Sequence, residues 1–422
     1  MQSVMENFKK ISQIPHCSFQ TEALREFLSA YAKEKGFECS IDRVGNIHCL
    51  KGRPQICLQS HYDMVCMGDA PRLELYEEAG FLKAKNSSLG ADNGIGVAIM
   101  MAAMAEFEHL ECLFTNDEEV GLLGAKGLEH QIRAPKLLNL DHEGEGEIMI
   151  SCAGGVDMRA RLPLSYEEES GRIYRLEARN FRGGHSGIDI VKNHKNALKE
   201  MARFIAQNDG KIIAFQGGER INSIPKHAAA LILTQKKPCE NAHIACEFVG
   251  EERARVCSEG GKILSGINAF SHGVRAFDQR LGIVQSSVNL SLLKMSENEA
   301  SVELFARSNV LEDLQNLEFE TLQLFKALGF STESFNFYPP WQGEENAFSA
   351  EVFEALAKFT PEPKISAIHA GLECGIIEAG QKVLCCSIGP NIHSPHSTYE
   401  RVELSSVEKI SGAVFEILKK NQ

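Results

Sequence analysis

Residues 110–121 read Leu110-Glu111-Cys112-Leu113-Phe114-Thr115-Asn116-Asp117-Glu118-Glu119-Val120-Gly121. Leu110 to Phe114 is a largely apolar run with the length of a buried strand, and three consecutive acids follow it. Adjacent carboxylates at a strand end repel one another and lose hydration, so the position calls for a cation. A lone acidic triplet is ordinarily a solvated loop. Here three further segments repeat the pattern of an apolar run tipped with metal-ligand residue types: Ile56-Cys57-Leu58-Gln59-Ser60-His61-Tyr62-Asp63, Ser88-Leu89-Gly90-Ala91-Asp92-Asn93-Gly94 and Leu137-Leu138-Asn139-Leu140-Asp141-His142. Open α/β sheets gather ligands outside the carboxyl ends of their strands. Four such tips therefore predict one site on one sheet edge.

Outward from these tips, the glycine-rich turn at Gly90–Gly96 opens into Val97–Ala105, apolar on nearly all faces and hence a buried helix. It lacks the Lys-Ser/Thr of a phosphate-binding loop, so nucleotide binding is set aside. Upstream, Leu24, Phe27, Leu28 and Tyr31 give Thr21–Lys35 a helical period closed by Gly36, and Gly45-Asn46 marks a turn within Asp42–Leu50. Downstream, Lys382–Ile388 is again an apolar run. It leads to Gly389-Pro390-Asn391-Ile392-His393-Ser394-Pro395-His396-Ser397, a turn-rich loop in which one of two histidines can complete a metal site. Residues 406–420 form a closing helix.

Between these parts the texture changes. Tyr174, Leu176 and Ala178 alternate with charged residues, a half-buried strand pattern that ends at Gly183-Gly184-His185-Ser186-Gly187. A helix carrying Leu198, Met201, Ala202 and Ile205 follows, then a strand at His227–Thr234. Val288–Leu293 and Ser301–Phe305 read as a hairpin, and Leu311–Leu328 as a helix stopped by Gly329. This is an α+β layer distinct from the flanking α/β portion. Residues 238–261, charged and cysteine-containing, show no assignable period.

With 422 residues the chain exceeds one ordinary core, and 43% hydrophobic with 24% charged content is that of a globular protein. The net charge of -13 disfavours nucleic acid and anionic membrane as partners. No apolar run is long enough for a membrane span, and the opening residues lack the pattern of a secretory signal. The 13 cysteines are odd in number and form no CxxC pair, which predicts reduced core thiols of a cytoplasmic protein.

His61, Asp92, Glu119, Asp141 and one of His393 or His396 form a carboxylate–imidazole set without thiolate. Five ligands exceed one tetrahedral ion and suit two ions sharing a carboxylate, with zinc favoured and manganese or cobalt as alternatives. Glu118 is then a spare acid beside ligand Glu119, placed to take the proton of a metal-bridged water.

In order along the chain stand Ile11-Ser12-Gln13-Ile14-Pro15, His61-Tyr62-Asp63-Met64-Val65, Gly90–Gly94, Asp117–Gly121 and Asn139-Leu140-Asp141. Cys152-Ala153-Gly154-Gly155-Val156-Asp157, Gly183–Gly187, His369-Ala370-Gly371-Leu372-Glu373-Cys374-Gly375 and Pro395-His396-Ser397 complete the series. Together they resemble the dizinc exopeptidases, the family of carnosinase, aminoacylase and glutamate carboxypeptidases, and in particular its bacterial aminoacyl-histidine dipeptidase branch. The resemblance implies a catalytic α/β domain (1–154 and 336–422) interrupted by an inserted α+β lid and dimerisation domain (155–335). It implies that Asp92 bridges the ions, that His61 and Asp141 hold one, and that Glu119 and His396 hold the other. Asp63 orients His61 and Glu118 is the general base. His185 reaches a neighbouring subunit's site to stabilise the oxyanion, while Arg307, Asn222 and Gly371 bind substrate. Ser397-Thr398-Tyr399-Glu400 departs from the branch's usual Ser-Pro-Asp-Glu, a difference expected to bear on specificity and not on metal binding.

The function implied is metal-dependent hydrolysis of dipeptides, of aminoacyl-histidine type or broader, by a homodimer. The alternatives are a tripeptide aminopeptidase, carboxypeptidase or N-acyl amino-acid deacylase of the same scaffold. In the family the ligand at Asp141 tends to be Asp in dipeptidases and aminopeptidases and Glu in the others. An inactive scaffolding relative would be expected to have lost Glu118 or a ligand, and this chain keeps each one.

Overall fold

The computed structural model describes residues 2–238, 241–279 and 282–422. The chain divides into two compact units. The first comprises Met1–Cys152, Trp341–Ala367 and Leu372–Gln422, and the second Ala153–Pro340 with Ile368–Gly371.

In the first unit the strands Leu110–Thr115, Ile56–His61, Lys136–Asn139 and Leu384–Ser387 lie side by side in that order, all parallel. Ile56–His61 and Leu110–Thr115 are buried along their whole length, as expected of parallel strands covered on both faces. An antiparallel pair, Glu38–Ile41 and Ile47–Lys51, extends one edge. The helix Ala91–Glu106 is buried from Ala91 to Met104, its three methionines filling core space. Helix Glu22–Glu34 ends before Gly36, whose φ of +82° suits a glycine. Because the central strands are parallel, the segments after His61, Thr115, Asn139 and Ser387 all emerge at one sheet edge.

Cys17 and Cys66 are joined as a disulfide with Cα atoms 5.5 Å apart, which corrects the expectation of reduced thiols throughout. The other described cysteines form no disulfide, eight of them being buried, and Cys239 lies outside the described residues. The pairing escapes sequence reading because it joins two loops 49 residues apart.

The second unit is built on one nine-stranded antiparallel sheet. Its main path runs Ile244–Cys257, Tyr166–Ala178, Ala228–Thr234, Lys211–Gly217, Ile283–Met295, Glu299–Ser308, Gly154–Pro163 and Ser331–Tyr338. The path reads the same from both ends. In each half the strand opening the half lies between the two last-formed strands, and a helix follows that opening strand, Ala197–Gln207 in one half and Gly260–Ala269 in the other. The halves meet where Gly217 registers with Leu293. Each half thus resembles a split βαβ layer, and the first half is inserted after the opening strand of the second.

Within the stretch that shows no period, residues 239 and 240 lie outside the described residues, and Ile244–Cys257 is an edge strand. Much of it is exposed, and it is tied to its neighbour by ion pairs, Arg175 to Glu247 at 2.8 Å and Arg253 to Glu168 at 3.2 Å. Charges on both faces erase the alternation that reveals a half-buried strand. They also protect the open edge.

Candidate active site

The strand Ile56–His61 ends in a histidine whose Nδ1–H donates to the Asp63 main-chain carbonyl at 3.0 Å. That fixes the tautomer and turns Nε2 towards Asp92 Oδ1 and Asp141 Oδ1, each at 3.2 Å. The Asp63 carboxylate accepts the Glu118 N–H at 3.0 Å, the Glu119 N–H at 3.4 Å and the Ser18 hydroxyl at 2.7 Å. One aspartate thereby sets both the imidazole and the backbone of the acid pair.

Asp92 lies between two imidazoles, with Oδ1 facing His61 and Oδ2 standing 3.0 Å from His396 Nε2. His396 Nε2 is also 2.9 Å from Glu119 Oε2. Ligand atoms of His61, Asp92 and Asp141 all lie within 4.8 Å of one another, and so do those of Asp92, Glu119 and His396. Two ligand groups sharing one carboxylate are the arrangement of a two-metal site. Glu119 Oε1 and Asp141 Oδ1 are buried without a hydrogen-bond partner, so lone pairs remain for cations, and the oxygen–nitrogen donor set fits divalent ions. Glu118 offers an atom to a third such group with His61 and Glu119. His393 stands elsewhere, edge-on to Phe81 at 5.7 Å.

Electrostatics point the same way. Burial pushes the Glu118 carboxyl well above its ordinary range, with Glu119, Asp141 and Glu373 adding to the shift against the opposing pull of His61. Burial likewise lifts Glu119 to about 7, and it raises Asp141. Burial opposes charge on His61 and His396, yet the surrounding carboxylates hold both imidazoles well above their ordinary value. The cluster draws in positive charge, as a cation site must.

Two buried acids were not identified from sequence. Glu400, 3% exposed, accepts the backbone N–H groups of Leu89 (2.8 Å), Gly90 (3.1 Å), Ala91 (2.8 Å) and Asp92 (3.3 Å). It braces the turn that carries Asp92, and it is the position where this segment keeps the branch's usual Glu, the departure lying at Thr398 and Tyr399. Glu373, fully buried, accepts from Thr115 Oγ1 at 2.6 Å and Gln59 Nε2 at 2.5 Å, and burial pushes it up to about 7. Its place inside the His369–Gly375 motif was the only available signal.

His185, Asn222, Arg307 and Gly371 belong to the second unit. His185 Nδ1 accepts the N–H groups of Gly187 (3.3 Å) and Ile188 (3.2 Å), which leaves its proton on Nε2. The Asn222 carbonyl accepts the Ser186 N–H at 2.8 Å. A Cβ on Gly187 would stand 3.2 Å from both Arg307 Nε and His185 Cε1, so the lid histidine and arginine adjoin within one chain.

Residues 46–161 match the Peptidase family M28 and residues 176–249 the Peptidase dimerisation domain. The chain is 32% identical to the cytosol non-specific dipeptidase of Escherichia coli K12, over 99% of this chain and 97% of that protein. The chain belongs to the dizinc exopeptidase superfamily. Within this superfamily it is similar to the solved aminoacylhistidine dipeptidase of Vibrio alginolyticus, at 28% identity and a TM-score of 0.77 over 100% of this chain and 96% of that one. It shares the fold alone with human carnosine dipeptidase 1, at 11% identity and a TM-score of 0.57 over 99% of this chain and 97% of that one. Among the described residues of this exopeptidase no helix is long and apolar enough to cross a membrane.

Proposed function

We propose that this metallo-exopeptidase is a two-metal dipeptidase, with zinc in both positions, acting on dipeptides that carry a free C-terminal carboxylate, aminoacyl-histidine types among them. The observation that carries the reading is the pair of ligand groups sharing Asp92, with Glu118 beside them. His61, Asp92 and Asp141 would hold one ion, and Asp92, Glu119 and His396 the other. When bound, such ions polarise the scissile carbonyl and acidify a water. Glu118 takes that water's proton and passes it to the leaving amine nitrogen, a task that suits a carboxyl whose proton affinity burial has raised. His185 donates its Nε2–H to the carbonyl oxygen as charge develops there.

Arg307, with Asn222 and Gly371, receives the substrate carboxylate. Arg307 is 5% exposed, and among the described residues no carboxylate pairs with it, so a ligand anion would compensate a buried charge. A dimer formed through the lid and a cytoplasmic location complete the reading. The first is supported by the dimerisation-domain match and the second by the name of the Escherichia coli relative. Light scattering that returned the mass of a single chain would count against the dimer.

The substrate reading is tested by kcat/KM for a dipeptide and its C-terminal amide, with wild type and Arg307→Ala. Either change alone should lose roughly 2–4 kcal/mol, and the two together little more, because both remove one interaction. If wild type cleaves the amide as well as the acid, the carboxylate clamp is wrong. An aminopeptidase acting on longer chains is then the better reading.

A further inference from the structure

We propose that Tyr338 is the positioning residue of the carboxylate site, fixing the Arg307 guanidinium in a space that Gly155, Gly187 and Gly371 keep open. The inference rests on the reading of Arg307 as the carboxylate clamp. Three neighbouring strands of the lid sheet place Arg307 opposite Gly155, and Gly155 opposite Tyr338. Residues directly opposite across antiparallel strands share a face, and two strand spacings put the outer pair roughly 10 Å apart at the backbone. The middle residue has no side chain. A Cβ there would fall 2.5 Å from Tyr338 Oη, so the phenol ring lies across the strand in the space the glycine leaves. It reaches Arg307, whose Nη1–H donates to Tyr338 Oη at 3.0 Å.

The rest of the guanidinium is held loosely for so buried a cation. Its Cζ lies 4.3 Å from the centre of the Phe305 ring, and its Nε is buried without a hydrogen-bond partner. A planar fork held by packing alone can turn about its own axis, whereas a hydrogen bond at one Nη sets which edge it presents. Tyr338 supplies that bond. A Cβ on Gly371 would lie 3.1 Å from the Tyr338 ring, and one on Gly187 would lie 3.2 Å from Arg307 Nε. Glycines from three motifs far apart in sequence, Cys152–Asp157, Gly183–Gly187 and His369–Gly375, thus surround one arginine–tyrosine pair. The pair gives each of the three a physical reason to be glycine. The neighbouring His369 brings no second positive charge. Burial and the Arg307 charge push it down to about 3, and the neutral ring is tied to Ser287 at 2.8 Å and Asn309 at 3.2 Å.

The test compares a dipeptide with its C-terminal amide in Tyr338→Phe, which removes the hydroxyl and keeps the ring. The preference for acid over amide should fall about three- to tenfold, the worth of one hydrogen bond, and the change should appear in KM for the acid more than in kcat. Gly155→Ala, which pushes the ring from its place, should give the same signature. If wild type prefers the acid and Tyr338→Phe keeps that preference, Tyr338 has no positioning role and the clamp stands. If both substrates lose kcat alike, Tyr338 is merely structural and the inference fails. If wild type shows no preference, the clamp and the inference fall together.

Discussion

Glu119 turns Oε2 to His396 at 2.9 Å, whereas Glu118, one residue earlier, has its N–H tied to Asp63 and its carboxyl among His61, Glu119, Asp141 and Glu373. On the proposed mechanism, identical side chains receive different work, one holding an ion and the other holding a proton. Glu118→Gln keeps the shape and removes the base. It should retain both metals and lose about 10²–10⁴-fold in kcat. Elemental analysis of the purified variant alongside its kinetics decides this, and loss of an ion would make Glu118 a ligand instead. His61→Ala, Glu119→Ala and His396→Ala should lose metal together with activity.

At the scale of elements, the start of the helix Ala91–Glu106 shows how far the site depends on a distant segment. Helix starts leave backbone N–H groups without partners, and here the Glu400 carboxylate gathers four successive ones from Leu89 to Asp92. The turn also holds Gly90 at φ +69°. Glu400→Gln leaves one acceptor oxygen and no charge for these donors. It should cost about 1–3 kcal/mol of stability and loosen the metals at Asp92. Thermal unfolding and metal content after dialysis against a chelator measure the two effects. Wild-type metal retention in the variant would show that Glu400 braces the fold and not the site.

For the molecule as a whole, removing the metals should tie stability to pH with a definite sign. The carboxyls of Glu118, Glu119, Asp141 and Glu373 and the imidazoles of His61 and His396 all hold protons more tightly folded than unfolded. Through these groups the native metal-free state binds more protons than the unfolded chain, from roughly pH 4.5 upwards, so their contribution to stability falls as pH rises, opposed up to the ordinary imidazole value by the lowered histidines His16, His272 and His369. Asp63 and Asp92 are shifted downwards, and their contribution is lost only in acid, below this window. Metal binding requires the deprotonated ligands and should reverse the trend. Calorimetry with and without chelator should show the melting temperatures diverging from pH 5.5 to pH 8. A metal-free protein that gains stability over that range would refute the account.

The buried strands, the helix after Gly90 and the ligand types at the strand tips are legible in the residues alone, because burial and metal chemistry each leave a local mark. The order of motifs also carried the family. The rest depends on partners far apart in the chain, which meet only once it is folded. His396 reaches Glu119 and Asp92, while His393 packs against Phe81. Glu400 caps a turn some 310 residues earlier, and Cys17 pairs with Cys66. The edge strand Ile244–Cys257 left no period because solvent and ion pairs, not a core, surround most of it. The doubling of the lid is a fact of strand order, which no single segment encodes. The meeting of Arg307 with Tyr338 over Gly155 is a fact of register: glycine marks the space in sequence, and only the paired strands show which side chains fill it.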